Sequence, residues 1–541
     1  MSKVAAYLRG HISGEVSTRE DVREALSNDM GALSIKPELV VYPRTTNDIR
    51  KVARFAWQLA EKNHILPLTV RGAGTDSTGA AIGKGAAIVT TAHLNKVFEF
   101  DTKQKLVRLQ PGASVGALQS ALALHGTSVL ALFGAQNYGT VGGAVASAVG
   151  GPLAGKYGTI AQAIDQLEVV LANGDVLQTG RINKRELSKR KGLQGFVGDI
   201  YRGVDGVIEE YADVLSKIEL NDITGYSSVA DVKRKDGSFD LTPLFVGSQG
   251  TLGFISEMIL KADFRSTRMG VCALVFADGN AARDALDSLA NQKPAILEYF
   301  DAALFDVALR AGRTYKFYTQ ASEKFAPESV VIVAFDEFNN HQRTKNLKKV
   351  AKLYEKREGV AFVSDDPESE SDLLEALEVA HYTLAPDQAG VGSSDLFGGF
   401  YIPTARLEDF MSALKTLGEH EHIALPLAGH AVTNTYTVYP SFALHKVGDK
   451  QKLFKLIDSL TKLIYEHGGV VIAEGGEGRL KAHAVYANID SRAVEMFTAI
   501  RKVFDPYGTL NPGVKQANDI RALATQLQDG SDRAGIARFG V

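Results

Sequence analysis

Cysteine is nearly absent from this chain, and that absence narrows what the protein can be. Cys272 is the only cysteine among 541 residues. One thiol cannot build a disulfide framework within a chain, and it cannot supply the thiolates of an iron–sulfur cluster. The first ten residues also lack an apolar core of signal-peptide length. We therefore expect a protein of a reducing compartment, with the cytoplasm as its location.

Long hydrophobic runs and an excess of one charge are missing too. No window of about eighteen residues is apolar without a charge or a run of glycines, so the sequence predicts no membrane span. The 60 basic and 63 acidic residues give a formal charge of −3, which provides no electrostatic case for binding nucleic acid. One basic cluster is either a solvated loop or a docking patch for an anionic membrane surface or an electron acceptor. It comprises Arg181, Lys184, Arg185, Lys189, Arg190 and Lys191.

Local patterns predict an α+β protein of more than one domain, because the chain exceeds the size of a single hydrophobic core. Apolar residues at helical spacing predict a helix over 47–63, capped by Thr46 or Asn47, and Ser114 caps a second helix. An Asn-Gly turn between 167–171 and 176–178 predicts a β-hairpin. Beyond about residue 265, strand-like and helical segments alternate. These predict strands at 271–276, 330–335, 360–363 and 400–402, and helices at 280–290, 346–357 and 407–417.

Glycine, by contrast, is abundant and clustered. Of 52 glycines, many fall in three segments, 71–79 (RGAGTDSTG), 139–159 and 246–255 (VGSQGTLGFI). Glycine permits close approach of a ligand, and successive amides of such a turn can bind an anion such as pyrophosphate. A strand-like run follows the first segment where a Rossmann motif would need a helix. A plain glycine turn between strands is the alternative interpretation of that segment alone.

The three segments, in this order, resemble the motifs of the vanillyl-alcohol-oxidase-type (PCMH-type) FAD enzymes. The resemblance is greatest to the branch of D-lactate, glycolate and D-2-hydroxyglutarate dehydrogenases, and the flanking motifs VYPRT at 41–45 and LNPG at 510–513 agree with it. It implies an α+β fold with a two-subdomain FAD-binding domain and an α+β cap. We predict a helical leader at 1–35, the FAD-binding domain at 36–265, the cap or substrate domain at 266–490, and a C-terminal segment at 491–541 that returns to the FAD-binding domain.

The resemblance also implies which residues hold FAD. Some relatives attach the flavin covalently to a histidine in or near the first loop, but the nearest histidines here are His64 and His93, in strand-like surroundings. We therefore predict non-covalent FAD. The residues implied in binding it are Arg71, Gly72, Ala73, Gly74, Thr75, Asp76, Ser77, Gly79, Thr140, Gly142, Gly143, Ala146, Gly253, Ile255 and Asn511.

The catalytic half of the chain departs from that branch. The branch carries two metal-binding histidines, a metal-binding glutamate and a histidine base. Here His430 and Glu474 match the first histidine and the glutamate, Tyr436 or Thr437 stands in place of the second histidine, and Gly475 replaces the base. Residues 380–383 lack the arginine that grips the substrate carboxylate. Because zinc needs at least three protein ligands, a divalent metal is doubtful, with Glu477 as a candidate third ligand.

The resemblance implies an FAD-linked oxidase or dehydrogenase that transfers hydride from an alcohol or 2-hydroxy acid to flavin N5. Its partners would be that small molecule and an unidentified electron acceptor, and peripheral membrane contact stays open. The catalytic candidates are His430, Tyr436 and Glu474, and Tyr439 and His483 are further candidates for the base. The alternative is a flavin-binding subunit or degenerate paralogue that acts in electron transfer or assembly without a substrate site.

Overall fold

The computed structural model describes residues 2–135, 137–219, 221–354, 359–383, 392–393, 397–442 and 447–528. The last residues of the predicted C-terminal segment, 529–541, lie outside the described ones. Within them, no helix has both the length and the apolar character needed to cross a bilayer. Three main β-sheets with surrounding helices form the molecule, as the α+β prediction requires.

The first sheet has four strands and carries the first glycine loop at its edge. The strand order is Glu15–Ser17, Leu39–Tyr42, Ala86–Val89, Leu68–Arg71. The last three strands are parallel, and the first pairs antiparallel with its neighbour. A bridge between Leu68 and Leu510 adds the C-terminal segment to this sheet.

The second sheet has five antiparallel strands. Its order is Val97–Asp101, Leu106–Leu109, Phe254–Lys261, Ile164–Val170, Val176–Gln178. The last pair is the predicted hairpin, and its turn residue Gly174 has a φ of +82°. The central strand follows directly from the third glycine segment, so this sheet positions that segment.

The third sheet has seven antiparallel strands and forms the cap. Its order is Gly359–Val363, Gly270–Phe276, Ser329–Phe335, Ile296–Asp301, Leu427–His430, Thr435–Val438, Phe397–Tyr401. The strands Gly270–Phe276 and Ser329–Phe335 are buried along their whole length, so the sheet is covered on both faces. Two-stranded pairs, Asp263–Phe264 with Thr127–Ser128 and Gly392–Ser393 with Ser441–Phe442, complete the strands described.

The helices near the N-terminus match the predicted ones in part. The first long helix is Thr46–Ala60. Its cap is Thr45, whose hydroxyl accepts from the Asp48 amide, in place of the predicted Thr46 or Asn47. Ser114 caps Val115–Ala123 as predicted. The leader contains helices Ser2–His11 and Glu20–Ala25, but its strand Glu15–Ser17 belongs to the first sheet.

The basic cluster is a helix and not a loop. Lys184–Lys191 is capped by Asn183, and Glu186 on the same helix pairs with Lys189 and Arg190. In the cap, the predicted helix at 346–357 begins earlier, as Asn340–Tyr354, and residues 355–358 lie outside the described residues. The longer remaining helices are Phe196–Glu210, Gly279–Ala290, Ala302–Arg310, Pro367–Glu375, Leu407–Glu421, Val447–Glu466 and Ser491–Phe504. The shorter α-helices are Val141–Ala146, Ala154–Tyr157, Ile160–Ala163, Ala212–Leu215, Thr242–Phe245, Lys316–Ser322, Ala482–Ala487 and Ile520–Ala524.

Candidate active site between the glycine loops and the cap sheet

A cavity of about 390 Å³ separates the glycine loops from the third sheet. One wall is formed by 72–78, 139–140, 142–144, 146–147, 149–152 and 248–250, from the glycine segments. The other wall is formed by 398–399, 428–430 and 474–475, from the cap strands and the loop after them. This volume lies within the usual range of ligand pockets, roughly 300–1,000 Å³. The cavity therefore brings together segments that are far apart in the chain.

The glycines of the first two segments let two loops touch without side chains between them. A Cβ atom on Gly72 would overlap the Thr140 hydroxyl. Gly74 has a φ of +79°, and a Cβ there would overlap the Arg71 guanidinium. A φ of this sign is strained for residues with a side chain. The main chain of both loops is consequently free to face the cavity.

Two buried carboxylates fix the shape of the first loop. The Asp76 carboxylate accepts from the amides of Thr78 and Ala80, at 3.0 and 2.9 Å. Asp29, from the leader, accepts from the Gly31 amide at 2.8 Å and from the Gly79 amide at 3.1 Å. Burial, with the nearby charge of Asp76, raises the pKa of Asp29 to about 8. The leader therefore acts as a clamp on the loop, and Asp76 holds it from within.

Gln249 ties the first glycine loop to the segment after Glu474. Its side-chain amide donates to the Thr78 hydroxyl at 3.0 Å and to the Gly475 carbonyl at 3.3 Å. Its carbonyl oxygen accepts from the Gly478 amide at 2.9 Å. The residue has a φ of +51°, a conformation uncommon for a residue with a side chain. Sequence reasoning missed this role, and its only sequence signal is its position between the glycines of the third segment.

His430 and Glu298 form the principal polar pair on the cap side of the cavity. His430 ends the strand Leu427–His430, and Glu298 lies opposite it on the neighbouring strand. The imidazole Nδ1 is 2.7 Å from both carboxylate oxygens of Glu298. The Glu298 side chain is 4% exposed, whereas that of His430 is 23% exposed because it borders the cavity. The Nδ1 atom of His430 is therefore occupied by a hydrogen bond within the protein.

The electrostatics of this pair favour a charged imidazole. Burial alone would lower the pKa of His430, but the Glu298 carboxylate, assisted by Glu474, raises it to about 9. Burial raises the pKa of Glu298 itself, an effect that the charge of His430 opposes. We take His430 as the protonated partner at neutral pH, because a buried carboxylate and an imidazolium stabilise each other's charges.

Three further titratable side chains line the cavity. Glu474 accepts from the Gly150 amide at 2.8 Å, and burial raises the pKa of this carboxyl group. Lys481 is 3% exposed, and its ammonium group donates to the Gly398 carbonyl at 3.3 Å. Burial lowers the pKa of His381, which is therefore neutral at pH 7. Such a convergence of buried titratable groups is typical of active sites.

The sequence around this cavity matches two known protein families. Residues 37–180 match the FAD binding domain family, and residues 266–514 match the C-terminal domain of the FAD-linked oxidases. The chain belongs to the FAD-linked oxidases. It is an oxidase- or dehydrogenase-type flavoenzyme, and FAD is its cofactor.

Several relatives of this chain are named for hydroxy-acid substrates. It is 24% identical over 524 residues to a D-2-hydroxyglutarate dehydrogenase of Pseudomonas putida, covering 93% of this chain but only 50% of that protein. It is 22% identical to the glycolate oxidase subunit GlcD of Bacillus subtilis, covering 90% of both chains. The solved structure of 4-ethylphenol oxidase from Gulosibacter chungangensis matches with a TM-score of 0.70 at 15% identity, over 96% of this chain and 98% of that one, which supports the fold.

Most residues that the resemblance implied in FAD binding border the cavity. They are Gly72, Ala73, Gly74, Thr75, Asp76, Ser77, Thr140, Gly142, Gly143, Ala146, Gly253 and Ile255. Arg71 and Gly79 support the loop from behind, through the contacts of the guanidinium with the Gly74 position and of the Gly79 amide with Asp29. The glycine loops thus leave main chain and small side chains facing the cavity, which suits a pyrophosphate group.

Asn511 has a different place from the one the resemblance implied. It is fully buried and is not among the residues that line the cavity. Its amide nitrogen donates to the carbonyls of Ala80 and Gln249, both at 2.8 Å, and its oxygen accepts from Thr69 and Arg479. We therefore assign Asn511 to holding the first and third glycine segments together, in place of the predicted contact with the flavin ring.

Tyr436 does not reach the cavity, which corrects its prediction as a catalytic candidate. It lies on the strand Thr435–Val438, whose neighbouring residues Thr435 and Thr437 do line the cavity. Successive side chains of a strand point to opposite faces, so Tyr436 faces away and packs near Phe400. Tyr439 is a lining residue, whereas His483 is not and lies beside the Phe454 ring.

The candidate third metal ligand, Glu477, is committed elsewhere. It is fully buried and accepts from the Gly225 amide at 2.8 Å, the Tyr486 hydroxyl at 2.7 Å and the Lys515 ammonium at 2.7 Å. Over the described ranges, no group of three or more His, Cys, Asp or Glu side chains is arranged to hold a metal ion. The structure therefore places Glu477 in a buried hydrogen-bonded network with Lys515 and Tyr486, and not as a candidate third ligand.

Neither histidine considered for covalent attachment of flavin borders the cavity. His93 lies 3.2 Å from the Glu15 carboxylate, on the outer side of the first sheet. His64 follows the helix Thr46–Ala60 and is exposed. The cavity-lining histidines, His381 and His430, both come from the cap. The prediction of non-covalent FAD rests on this separation together with the absence of histidine from the first loop.

Proposed function

We propose that this flavoenzyme oxidises the hydroxyl-bearing carbon of an alcohol or 2-hydroxy acid, with His430 as the general base. Bound FAD supplies the hydride acceptor in such a reaction. The observation that carries the proposal is the His430–Glu298 pair, which borders the same cavity as the three glycine segments. The D-2-hydroxyglutarate dehydrogenase and the glycolate oxidase subunit named above act, by their names, on hydroxy acids, which supports the same reaction class.

Glu298 determines which nitrogen of His430 serves the substrate. Because the carboxylate accepts a hydrogen bond from Nδ1, the proton of the neutral ring resides on Nδ1. Nε2 is left as the nitrogen that can take the hydroxyl proton. The carboxylate then stabilises the imidazolium that forms, as in other acid–base pairs of histidine with a buried carboxylate.

The raised pKa of His430 implies a strong base that is mostly protonated at neutral pH. With a pKa of about 9, the free-base fraction grows as pH rises toward that value. General-base catalysis typically contributes 10²–10⁴-fold, and only the unprotonated ring provides it. We therefore expect the rate of substrate oxidation to increase with pH, with a midpoint near pH 9.

Glu474 and Lys481 complete the polar side of the proposed site. Glu474 opposes the positive charge of His430, and Lys481 supplies a further buried cation, so an anionic or polar substrate can be held without an arginine. Phe300, Leu377 and Val149 line the same cavity and exclude water from it. Exclusion of water strengthens each charge interaction with the substrate.

The buried charges argue against a degenerate paralogue without a substrate site. Burying Glu298 and Lys481 beside a cavity costs free energy that a purely structural role would not require. We further propose that the reaction needs no divalent metal. Tyr436, at the position of the second histidine, faces away from the cavity, and Glu477 is engaged with Lys515.

The test is anaerobic reduction of the bound flavin by a panel of D-2-hydroxy acids and sugar alcohols, followed by loss of flavin absorbance. At least one hydroxy compound should bleach the flavin, and pretreatment with a chelator should leave the rate unchanged. If dithionite bleaches the flavin and no hydroxy compound does, the proposed oxidation is wrong. If a chelator abolishes the activity and zinc or manganese restores it, the metal-independent mechanism is wrong.

A further inference from the structure

A second, larger cavity lies on the other side of His430. It is an open cleft of about 1,140 Å³, bounded by residues of the FAD-binding half between 159 and 246 and by cap residues 430–435 and 473–474. Four residues, Gly150, His430, Thr435 and Glu474, line both this cleft and the flavin cavity. These residues form the partition between the two spaces, so the proposed base is reached from the cleft as well as from the flavin side.

The size of the cleft exceeds what a two- or three-carbon hydroxy acid would fill. Pockets for drug-sized ligands are roughly 300–1,000 Å³ and bury most of the ligand surface. The cleft alone is about 1,140 Å³ and is partly open to solvent. A molecule as small as lactate would therefore leave the cleft filled with bulk water, and the cleft would contribute nothing to the binding of lactate.

The lining of the cleft has many hydrogen-bonding side chains among small aliphatic ones, and it lacks aromatic rings. Hydroxyl and amide side chains line it, from Thr159, Gln162, Asn221, Ser228, Thr242 and Thr433. Among the described residues, no Phe, Tyr or Trp contributes to this lining, although aromatic rings are common in the pockets of apolar ligands. The surface is suited to a ligand rich in hydroxyl groups.

The charges of the cleft are largely balanced by one another. Arg181 lies 3.7 Å from Asp240, and Lys233 pairs with Asp205 at 2.6 Å. The lining contains five Lys or Arg residues and four Asp residues, besides Glu474 and His430. A strongly anionic body would find only a small excess of positive charge. Neutral hydroxyl groups, in contrast, can both donate to the carboxylates and accept from the basic side chains.

We propose that the cleft binds the polyhydroxylated body of the substrate, while the carbon to be oxidised lies at His430. The substrate class is then a sugar-derived hydroxy acid or polyol, and not a short-chain hydroxy acid such as lactate or glycolate. This inference rests on the proposed function, since it extends the site of the same reaction. A site built to hydrogen-bond hydroxyl groups discriminates strongly against an analogue that lacks them.

The experiment compares D-gluconate with D-lactate as reductants of the holoenzyme under anaerobic conditions. Both are 2-hydroxy acids, and they differ in the polyhydroxylated chain that gluconate carries. The blocking variant is Ala230→Trp, at an exposed residue of the cleft wall, where an indole would occupy the cleft without disturbing the core. The matched control is Ala212→Trp, at an exposed alanine that does not line the cleft. The FAD content and the rise in Tm on adding D-gluconate are recorded for each protein.

We expect D-gluconate to exceed D-lactate in kcat/KM by about 100-fold or more, which is within the range for lost hydrogen bonds to substrate hydroxyls. Ala230→Trp should lower kcat/KM for D-gluconate by at least about tenfold and abolish its effect on Tm, with normal FAD content, whereas Ala212→Trp should not. If D-lactate is the equal of D-gluconate, or the two variants behave alike, the cleft assignment is overturned while the proposed oxidation stands. If neither compound nor any other hydroxy compound reduces the flavin, both proposals fall.

Discussion

Replacing Glu298 with glutamine should move the pH dependence of substrate oxidation. The carboxylate lies 2.7 Å from His430 Nδ1 through both of its oxygens and is almost completely buried. Glutamine keeps the size of the side chain but removes the charge. Burial, opposed only by the charge of Glu474, then lowers the pKa of the imidazole from about 9 toward the ordinary histidine value of about 6.5. A change of about 2.5 units corresponds to roughly 3 kcal/mol of lost imidazolium stabilisation.

The assay is the rate constant of anaerobic flavin reduction by a saturating hydroxy compound, measured from about pH 6 to about pH 10. The wild-type rate should rise with a midpoint near pH 9, because the base acts only when it is unprotonated. In Glu298→Gln the midpoint should move down to about pH 6.5, and the plateau should be lower because a weaker base removes the proton.

Glu370→Gln is the matched control for the loss of a buried carboxylate. Glu370 lies in the cap, where it pairs with Arg268 and accepts from the Met269 amide, and it is not a cavity-lining residue. This variant should keep the wild-type pH profile. If Glu298→Gln also shows a midpoint near pH 9, the pairing does not set the pKa of the base and the reasoning is refuted.

Three further predictions follow from the packing. Gly74→Val and Gly143→Val should each lose FAD, as measured by the ratio of flavin to protein absorbance of the purified protein. A Cβ atom at Gly74 meets the Arg71 guanidinium, and a Cβ atom at Gly143 lies 2.9 Å from the Thr140 hydroxyl. The control Gly126→Val, also at positive φ but with nothing within 4 Å of its Cβ position, should keep FAD. Tyr436→Phe should leave flavin reduction unchanged and alter the free energy of unfolding by less than about 1 kcal/mol, because the buried hydroxyl has no hydrogen-bond partner; a large loss of activity would return Tyr436 to the active site. Lys515→Ala should destabilise the protein by about 3–5 kcal/mol in urea denaturation, because it leaves the fully buried Glu477 without its cation; an unchanged midpoint would contradict this.

The glycine segments could be predicted as a cofactor site because their function depends on local geometry. Positive φ angles and the absence of side chains are properties of the residues themselves. Gly74 shows both in the structure, and Gly72 shows the need for a missing side chain. The hairpin around Gly174 and the cap at Ser114 were predictable for the same reason. Each depends on a few neighbouring residues and not on the rest of the chain.

The catalytic side could not be predicted in the same way, because strand register determines it. Tyr436 matched a motif position, but alternation along its strand points it away from the cavity. Glu298 lies 132 residues before His430 and reaches it only through the pairing of two strands in the third sheet. Gln249 and Asn511 hold the loops through contacts across more than two hundred residues of sequence. A single sequence contains no signal for such pairings.

The most direct test of the account is anaerobic flavin reduction in His430→Asn. Asparagine retains a polar side chain of moderate size but cannot act as a base near neutral pH. The account predicts a variant that binds FAD normally and is bleached by the best hydroxy compound about 100-fold or more slowly than the wild type, in keeping with the loss of a general base. A variant that is bleached at the wild-type rate would contradict the central claim that His430 removes the hydroxyl proton.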